Sequence, residues 1–368
     1  MDDAERLAES AALHRRARAF VRAFVDGVAM PEPFDALAVD LARFQAQHVE
    51  GYARLCRARG LDPRRFTRAA DAPAVPTDAF KVARAFAFPE ADERTFFLTS
   101  GTTVGARGRH SFRDIGTYDA GALAFGRWAL SSDLPSKPVV LCLSPPPSEL
   151  PESSLVHMMD LFRRELGAEG EGGFFFQGDA IDIVSLERQV LRAFAAHRSV
   201  LLLATSFALV RLLDALGGAP LRLPDGSRVM QTGGFKGKSR EVGADALRRD
   251  LARTFSVSER AIVCEYGMTE LSSQFYETTL RDRSASHGTY VEPPWARVVP
   301  VDPDTSAPVP EGEVGLARIE DLLNVDSAFA VLARDRVRRV PGGFELLGRA
   351  PGAPPRGCSL AIEEMLER

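Results

Sequence analysis

The spacing of apolar residues changes character along the chain, and each change predicts a different kind of structure. Residues 1 to about 27 are Ala/Arg-rich and read as a helix. Leu37, Leu41, Phe44, His48, Tyr52 and Leu55 then recur every three to four residues, one face of a second helix that Gly60 stops. From about 60 to 95 prolines break the text into short apolar pieces (APAVPTDAFKVARAFAFPE), which predicts a loop-rich stretch. Four continuous apolar runs follow, PVVLCLS (138–144), SVLLLATS (199–206), RVMQTGG (228–234) and AIVCEYG (261–267). Each leads into a helix or a small-residue turn, the pattern of parallel strands buried on both faces. The helix FALVRLLDALGG closes on glycines and REVGADALRRDLARTF is amphipathic, so the middle of the chain is expected to be a layered α/β domain. Beyond about 285, TYVEPPWARVVPVDPDT, PVPEGEVGLARIEDL and GGFELLGRAPG are separated by Pro/Gly/Asp turns and predict a small antiparallel barrel or sheet. The expected organisation is a helical region (1–95), an α/β core (96–284) and a β-rich subdomain with a C-terminal segment (285–368), behaving as one compact unit.

Charge narrows the partners. With 46 basic and 50 acidic side chains the net charge is −4, so no overall field draws the chain to nucleic acid or to an anionic membrane. No run approaches the roughly 20 apolar residues that cross a bilayer, and MDDAERLAES lacks the layout of a signal peptide; no membrane insertion and a cytoplasmic address are expected. The 4 cysteines contain no CxxC and the 6 histidines no HExxH, so a metal would arrive with a phosphate substrate.

Candidate chemistry begins at FFLTSGTTVGARGRH (96–110). Thr99, Ser100, Gly101, Thr102 and Thr103 offer hydroxyls beside backbone N–H groups, and glycine lets that backbone approach a ligand closely. The stretch is not a GxxxxGK[ST] loop, and alone it reads as a Ser/Thr-rich turn with incidental basic residues rather than a phosphate site. Glu265, Tyr266, Gly267, Met268, Thr269 and Glu270 (EYGMTE) follow a buried strand; alone, Tyr266 reads as a core aromatic and Glu270 as a helix-start carboxylate.

Together the two stretches resemble the phosphate loop and adenine-site motif of the adenylate-forming acyl-CoA synthetases and luciferases. TGGFKGKSRE (232–241), EYGMTELSSQFY (265–276), DLLNVDS (321–327), GRAPGAPPRGCSL (348–360), FK (80–81) and SSLVHMMD (153–160) are similar to the LuxE-type acyl-protein synthetases. The resemblance runs from about 75 to 365. It implies the large-domain α/β fold of that superfamily, layered subdomains plus a small β-barrel, without the mobile C-terminal domain of most members. It implies that ATP and a carboxylic acid react to acyl-AMP and pyrophosphate. Ser100 to Thr103 would hold the β- and γ-phosphates with Arg107 and Arg109, Tyr266 would pack on adenine, Thr269 would touch the α-phosphate, and Glu270 would hold Mg²⁺. Asp335 resembles the ribose-binding aspartate and Arg349 its companion, while Gly233 and Gly234 precede Lys236 and Lys238, which either face the nucleotide or solvate a loop.

Two departures stand out: Val104 precedes the expected glycine, and Arg109 stands where many members have lysine. The role of the C-terminal-domain lysine would then fall to Lys236, Lys238, Arg109 or a partner. Cys358 sits in PPRGCSL beside Arg356, and a nearby cation lowers a thiol pKa. The resemblance implies an acyl-thioester on a cysteine near the C-terminus, and Cys358 fits. The expected function is activation of an acid, a fatty acid by the resemblance, with transfer to Cys358 and on to an acyl reductase, acyltransferase or carrier protein; the SSLVHMM, TSFALV and TGGF segments should line the pocket, and their apolar content favours a hydrophobic acyl or aryl group. The alternatives are a ligase acting on CoA, a carrier protein or an amine without an acyl-enzyme, and a non-catalytic subunit of the same fold.

Overall fold

The computed structural model describes residues 3–99, 106–178, 180–233, 243–352 and 356–366. The chain divides into two compact units, one of residues 1–124, 268–273 and 291–368, the other of 125–267 and 274–290. These borders differ from the three segments read from the sequence.

The first unit opens with α1 (Asp3–Asp26), α2 (Phe34–His48) and α3 (Glu50–Ala58). The single helix expected from Leu37 to Leu55 is broken at Val49, whose extended backbone (φ −109°, ψ 101°) starts a new helix that keeps the same buried face. The proline-rich stretch holds only β1 (Val75–Pro76) and short 3₁₀ turns, among them Thr77–Lys81. β2 (Thr95–Leu98) and β3 (Arg109–Phe112) then form an antiparallel pair, Leu98 opposite Arg109. The border between the units falls within α4 (Gly116–Leu130).

In the second unit β4 (Val139–Leu143), α5 (Ser154–Glu165), β5 (Gly173–Phe174), the short pair β6 (Phe176–Gln177) and β7 (Ala180–Ile181), α6 (Ile183–Ala195), β8 (Val200–Thr205), α7 (Ser206–Leu216), β9 (Arg228–Thr232), α8 (Ala244–Phe255), β10 (Ile262–Tyr266) and β11 (Phe275–Glu277) follow one another. The main sheet runs β5-β4-β8-β9-β10 in parallel, with β11 antiparallel on β10. Alternate residues Val139, Leu141, Val200, Leu202, Val229 and Ile262 form one core with Leu186, Leu209, Leu247 and Phe255 of α6, α7 and α8. Val140, Leu201, Leu203, Met230 and Val263 are buried on the opposite face, which is why each strand is apolar throughout. Gly126 permits the approach of α5, since a Cβ there would stand 2.2 Å from the Phe162 ring.

The chain returns to the first unit after β12 (Thr289–Val291), and β13 (Ala296–Val301), β14 (Val314–Asp321), β15 (Ala330–Val340) and β16 (Gly343–Arg349) form an antiparallel sheet, to which β1 adds in parallel on β15. Gln45 of α2, fully buried, donates to the carbonyls of Asn324 (2.8 Å) and Val325 (3.0 Å) and accepts from the Phe329 N–H (3.0 Å). Ser10 and His14 of α1 both bond the buried Asp326 carboxylate, at 2.5 and 3.1 Å. The last helix, α9 (Arg356–Leu366), docks on α3: Arg59 pairs with Glu364 at 3.0 Å and Arg54 donates to the Met365 carbonyl at 2.7 Å.

Among the described residues of the second unit one ion pair is fully buried. Arg248 of α8 meets Glu277 of β11 at 2.9 Å, with side-chain exposures of 5% and 0%, and Glu277 also accepts the Cys264 N–H at 2.9 Å. Breaking such a pair leaves an uncompensated charge, which costs about 3–5 kcal/mol, whereas replacing both partners by apolar groups is far milder. R248L is therefore expected to lower the free energy of urea unfolding by that amount, and R248L/E277L to recover part of it. Equal destabilisation in the single and double variants would contradict the pairing.

Candidate functional site

In the first unit the turn Thr269–Ser273 is held on three sides. His110 of β3 hydrogen-bonds through Nδ1 to the Thr269 carbonyl at 2.8 Å, and Asn324 donates from Nδ2 to the Glu270 carbonyl at 2.9 Å. The Asp321 carboxylate accepts the Ser272 N–H at 2.9 Å and the Ser273 hydroxyl at 2.7 Å, and the Ser272 hydroxyl donates to Asn324 Oδ1 at 2.7 Å. Burial lowers the His110 pKa to about 4, so its ring is neutral, and the acceptor at Nδ1 makes that nitrogen the protonated one. Asp321 is pushed up to about 6 by burial, against the hydrogen bonds it accepts.

This anchoring presents Glu270. Its carboxyl is buried, and burial pushes its pKa up to about 7, opposed by its own backbone N–H and by the charges of Arg349 and Lys81. No helix follows it; a turn leads to β11, which removes the helix-start alternative. Arg349 lies directly opposite Asp335 across β15 and β16, Nε to Oδ1 at 3.7 Å, so the two residues expected at the ribose are brought together. A single buried carboxylate suits Mg²⁺, which keeps waters and takes substrate phosphates for its remaining ligands. Among the described residues no cluster of three or more His, Cys, Asp or Glu could hold a metal by itself.

The base of the expected phosphate loop is closed by Thr99, whose hydroxyl accepts the Gly108 N–H at 2.9 Å and whose own N–H donates to the Gly108 carbonyl at 2.9 Å. Arg107 donates to the Thr99 carbonyl at 2.8 Å. Arg109 is engaged elsewhere than expected: its guanidinium bonds the Glu93 carboxylate and lies 3.5 Å over the Phe96 ring. Ser100, Gly101, Thr102, Thr103 and Val104, and likewise Gly234, Lys236 and Lys238, lie outside the described residues.

In the second unit Tyr266 is buried, its ring 5.9 Å from Phe275 and 6.1 Å from Tyr290. Glu265 is buried too and bonds the Thr232 hydroxyl; burial pushes it up to about 7. Gly267 leaves room for that carboxyl, since a Cβ there would come within 2.5 Å of Glu265 Oε1. The Gly233 carbonyl accepts from Ser206 at 2.6 Å; Met268 and Thr269, which belong to the first unit, are half-buried. Of the segments expected to line an acyl pocket, Met158, Met159, Leu209 and Val210 are committed to the core.

Cys358 differs from its expectation. It lies on α9 with 2% exposure, and burial, reinforced by the Asp78 charge, raises its thiol pKa against the opposing effects of Arg334 and Arg59. Three residues went unremarked as site residues, His110, Asn324 and Asp321, the last two standing inside DLLNVDS. Only their hydrogen bonds to main-chain atoms identify them, and these have no sequence signature.

No family model and no curated protein matches this sequence. Solved structures do. An open conformation of 2-hydroxyisobutyryl-CoA ligase in complex with 2-HIB-AMP and CoA matches with a TM-score of 0.61 at 13% identity, over 88% of this chain and 76% of that one. The same ligase in its thioesterification state, with 2-HIB-AMP and CoA, gives 0.60 at 16% identity over 95% and 69%. Its postadenylation state with R3-HIB-AMP gives 0.60 at 14% identity over 86% and 67%. At such identities the likeness is one of architecture: the chain has the α/β fold of an adenylate-forming CoA ligase.

Proposed function

We propose that the protein is an ATP- and Mg²⁺-dependent ligase that activates a carboxylic acid, a fatty acid in the sharpest form of the reading, as acyl-AMP. The observation that carries it is the convergence, within one unit, of Glu270 with the Asp335–Arg349 pair, positions far apart in sequence. Asp335, with Arg349 as its companion, would take the ribose hydroxyls, Thr269 the α-phosphate, and Glu270 the Mg²⁺, which would supply charge neutralisation on the phosphate oxygens. The acid's carboxylate oxygen attacks the α-phosphorus, and the bond to pyrophosphate breaks. Positioning of two anions and neutralisation of their charge drive the step; no protein acid or base is required. Contact of Tyr266 with adenine rests on the resemblance alone.

Transfer of the acyl group to Cys358, and from there to an acyl reductase, acyltransferase or carrier protein, is the second half of the reading. The buried thiol requires α9 to lift before it reacts. That same burial favours a second reading, in which the adenylate passes directly to CoA, a carrier protein or an amine.

Carboxylate-dependent exchange of labelled pyrophosphate into ATP tests the first half, and silence across a broad panel of acids would overturn it. Intact mass after incubation with ATP and mixed acids separates the two acceptors: an adduct absent in C358A supports the acyl-enzyme, whereas full product formation by C358S supports direct transfer.

Glu270 gives a pH signature. Its folded pKa lies above the unfolded value of 4.5, so the native state retains a proton that the unfolded state has lost, and stability declines as pH rises from 4.5 through about 7. E270Q removes that penalty. Its free energy of urea unfolding is expected to exceed the parent's at pH 8 by about 1–3 kcal/mol, with the difference vanishing near pH 4. The same variant is expected to lose pyrophosphate exchange; a variant less stable than the parent at pH 8 would contradict the assignment.

A further inference from the structure

Four lysines occur in the chain. Lys137 caps the Glu165 carbonyl in the second unit, and Lys236 and Lys238 lie outside the described residues. The remaining one, Lys81 of the FK pair, ends the 3₁₀ turn Thr77–Lys81, and its place in the first unit is set by its neighbour. Phe80, 3% exposed, packs edge-on to His110 with ring centroids 5.9 Å apart, and its Cβ would stand 3.4 Å from a Cβ on Gly108. His110 in turn holds the Thr269 carbonyl. The turn that carries Lys81 is thus wedged against β3 at the root of the expected phosphate loop and, through the imidazole, against the main chain that presents Glu270. It also lies against β15, which bears Asp335, and α9, which bears Cys358.

Lys81 is 42% exposed, and its ammonium pairs with Asp78, a carboxylate that also faces the Cys358 thiol. Its charge is felt at Glu270 together with that of Arg349. A half-exposed ion pair contributes little to stability, about 0–1 kcal/mol, so folding does not explain a cation held at this place. An ammonium is a compact charge on a long stem, able to leave Asp78 and reach an anion nearby.

We propose that Lys81 is a catalytic residue, the mobile cation that binds the α-phosphate oxygens and neutralises their charge while the acid's carboxylate attacks. This rests on the adenylation reading above. The step leaves the ammonium protonated throughout: a C–O–P bond forms, the bond from the α-phosphorus to the bridging oxygen breaks, and that oxygen leaves with pyrophosphate. Asp78 holds Lys81 at rest and is left behind when the nucleotide arrives.

Two measurements test it. Acetylation of Lys81 by acetic anhydride, followed by peptide mass, is expected to slow at least about fivefold when Mg·ATP is bound. In pyrophosphate exchange, K81M is expected to keep the parent's melting temperature and KM for the acid while kcat falls roughly 100-fold, the scale of one lost charge-stabilising donor; K81R is expected to recover part of it. If the parent protein binds no Mg·ATP by calorimetry, the adenylation reading itself is overturned and Lys81 with it. If Mg·ATP binds and exchange proceeds, but Lys81 acetylates equally fast with and without nucleotide, or K81M retains exchange within about twofold, the assignment of Lys81 alone is overturned.

Discussion

The candidate site in the first unit depends on fixing an irregular stretch of main chain, Thr269 to Ser273, without a helix or strand to do so. A turn has few backbone partners of its own, and buried N–H and C=O groups must be paired. Here the pairing comes from three side chains: His110, Asn324 and Asp321 satisfy the Thr269 carbonyl, the Glu270 carbonyl and the Ser272 N–H. Each of the three is itself buried, so none trades its partner for water. Gln45 of α2, bonded to the Asn324 carbonyl, and Ser10 of α1, bonded to the Asp326 carboxylate, brace the neighbouring stretch, which ties the N-terminal helices to the candidate site.

Burial that rigid has an electrostatic cost. Glu270 and Asp321 are both raised above the ordinary carboxylate range by loss of water, although each accepts or feels stabilising groups. Asp321 tolerates this because its acceptors are filled by Ser272, Ser273 and the Leu323 N–H. At Glu270, burial is opposed only in part by its own backbone N–H and by the charges of Arg349 and Lys81, so its carboxyl reaches the higher pKa of the two. Under the proposed function that is where a cation brought with the nucleotide would offset the burial.

The elements that bury both faces were the legible ones. Val139–Leu143, Val200–Thr205, Arg228–Thr232 and Ile262–Tyr266 are strands within a residue or two of their apolar runs, because both faces of that sheet exclude water. The antiparallel strands after 285 were legible through their turn residues, and Asp335 and Arg349 stand opposite one another across two of them, a pairing fixed by register and not by spacing. The break at Val49 was not legible, since α2 and α3 share one apolar periodicity and the interruption leaves no composition mark. Nor was the engagement of Arg109 by Glu93, sixteen positions earlier, because ion pairing across a hairpin depends on register. The state of Cys358 reversed its expectation: the adjacent arginine in sequence suggested a lowered thiol pKa, whereas docking of α9 on α3 removes the water that a thiolate needs.

That last feature has a bearing on how the molecule meets oxidants. Cys56 and Cys264 are pushed up to about 12 by burial, and Cys142 and Cys358 are raised as well. Peroxide and disulfides react with thiolate, and burial disfavours that form at each of these four sulfurs. For Cys358 the shelter is a single docked helix, so release of α9 would return to this sulfur the water that a thiolate needs.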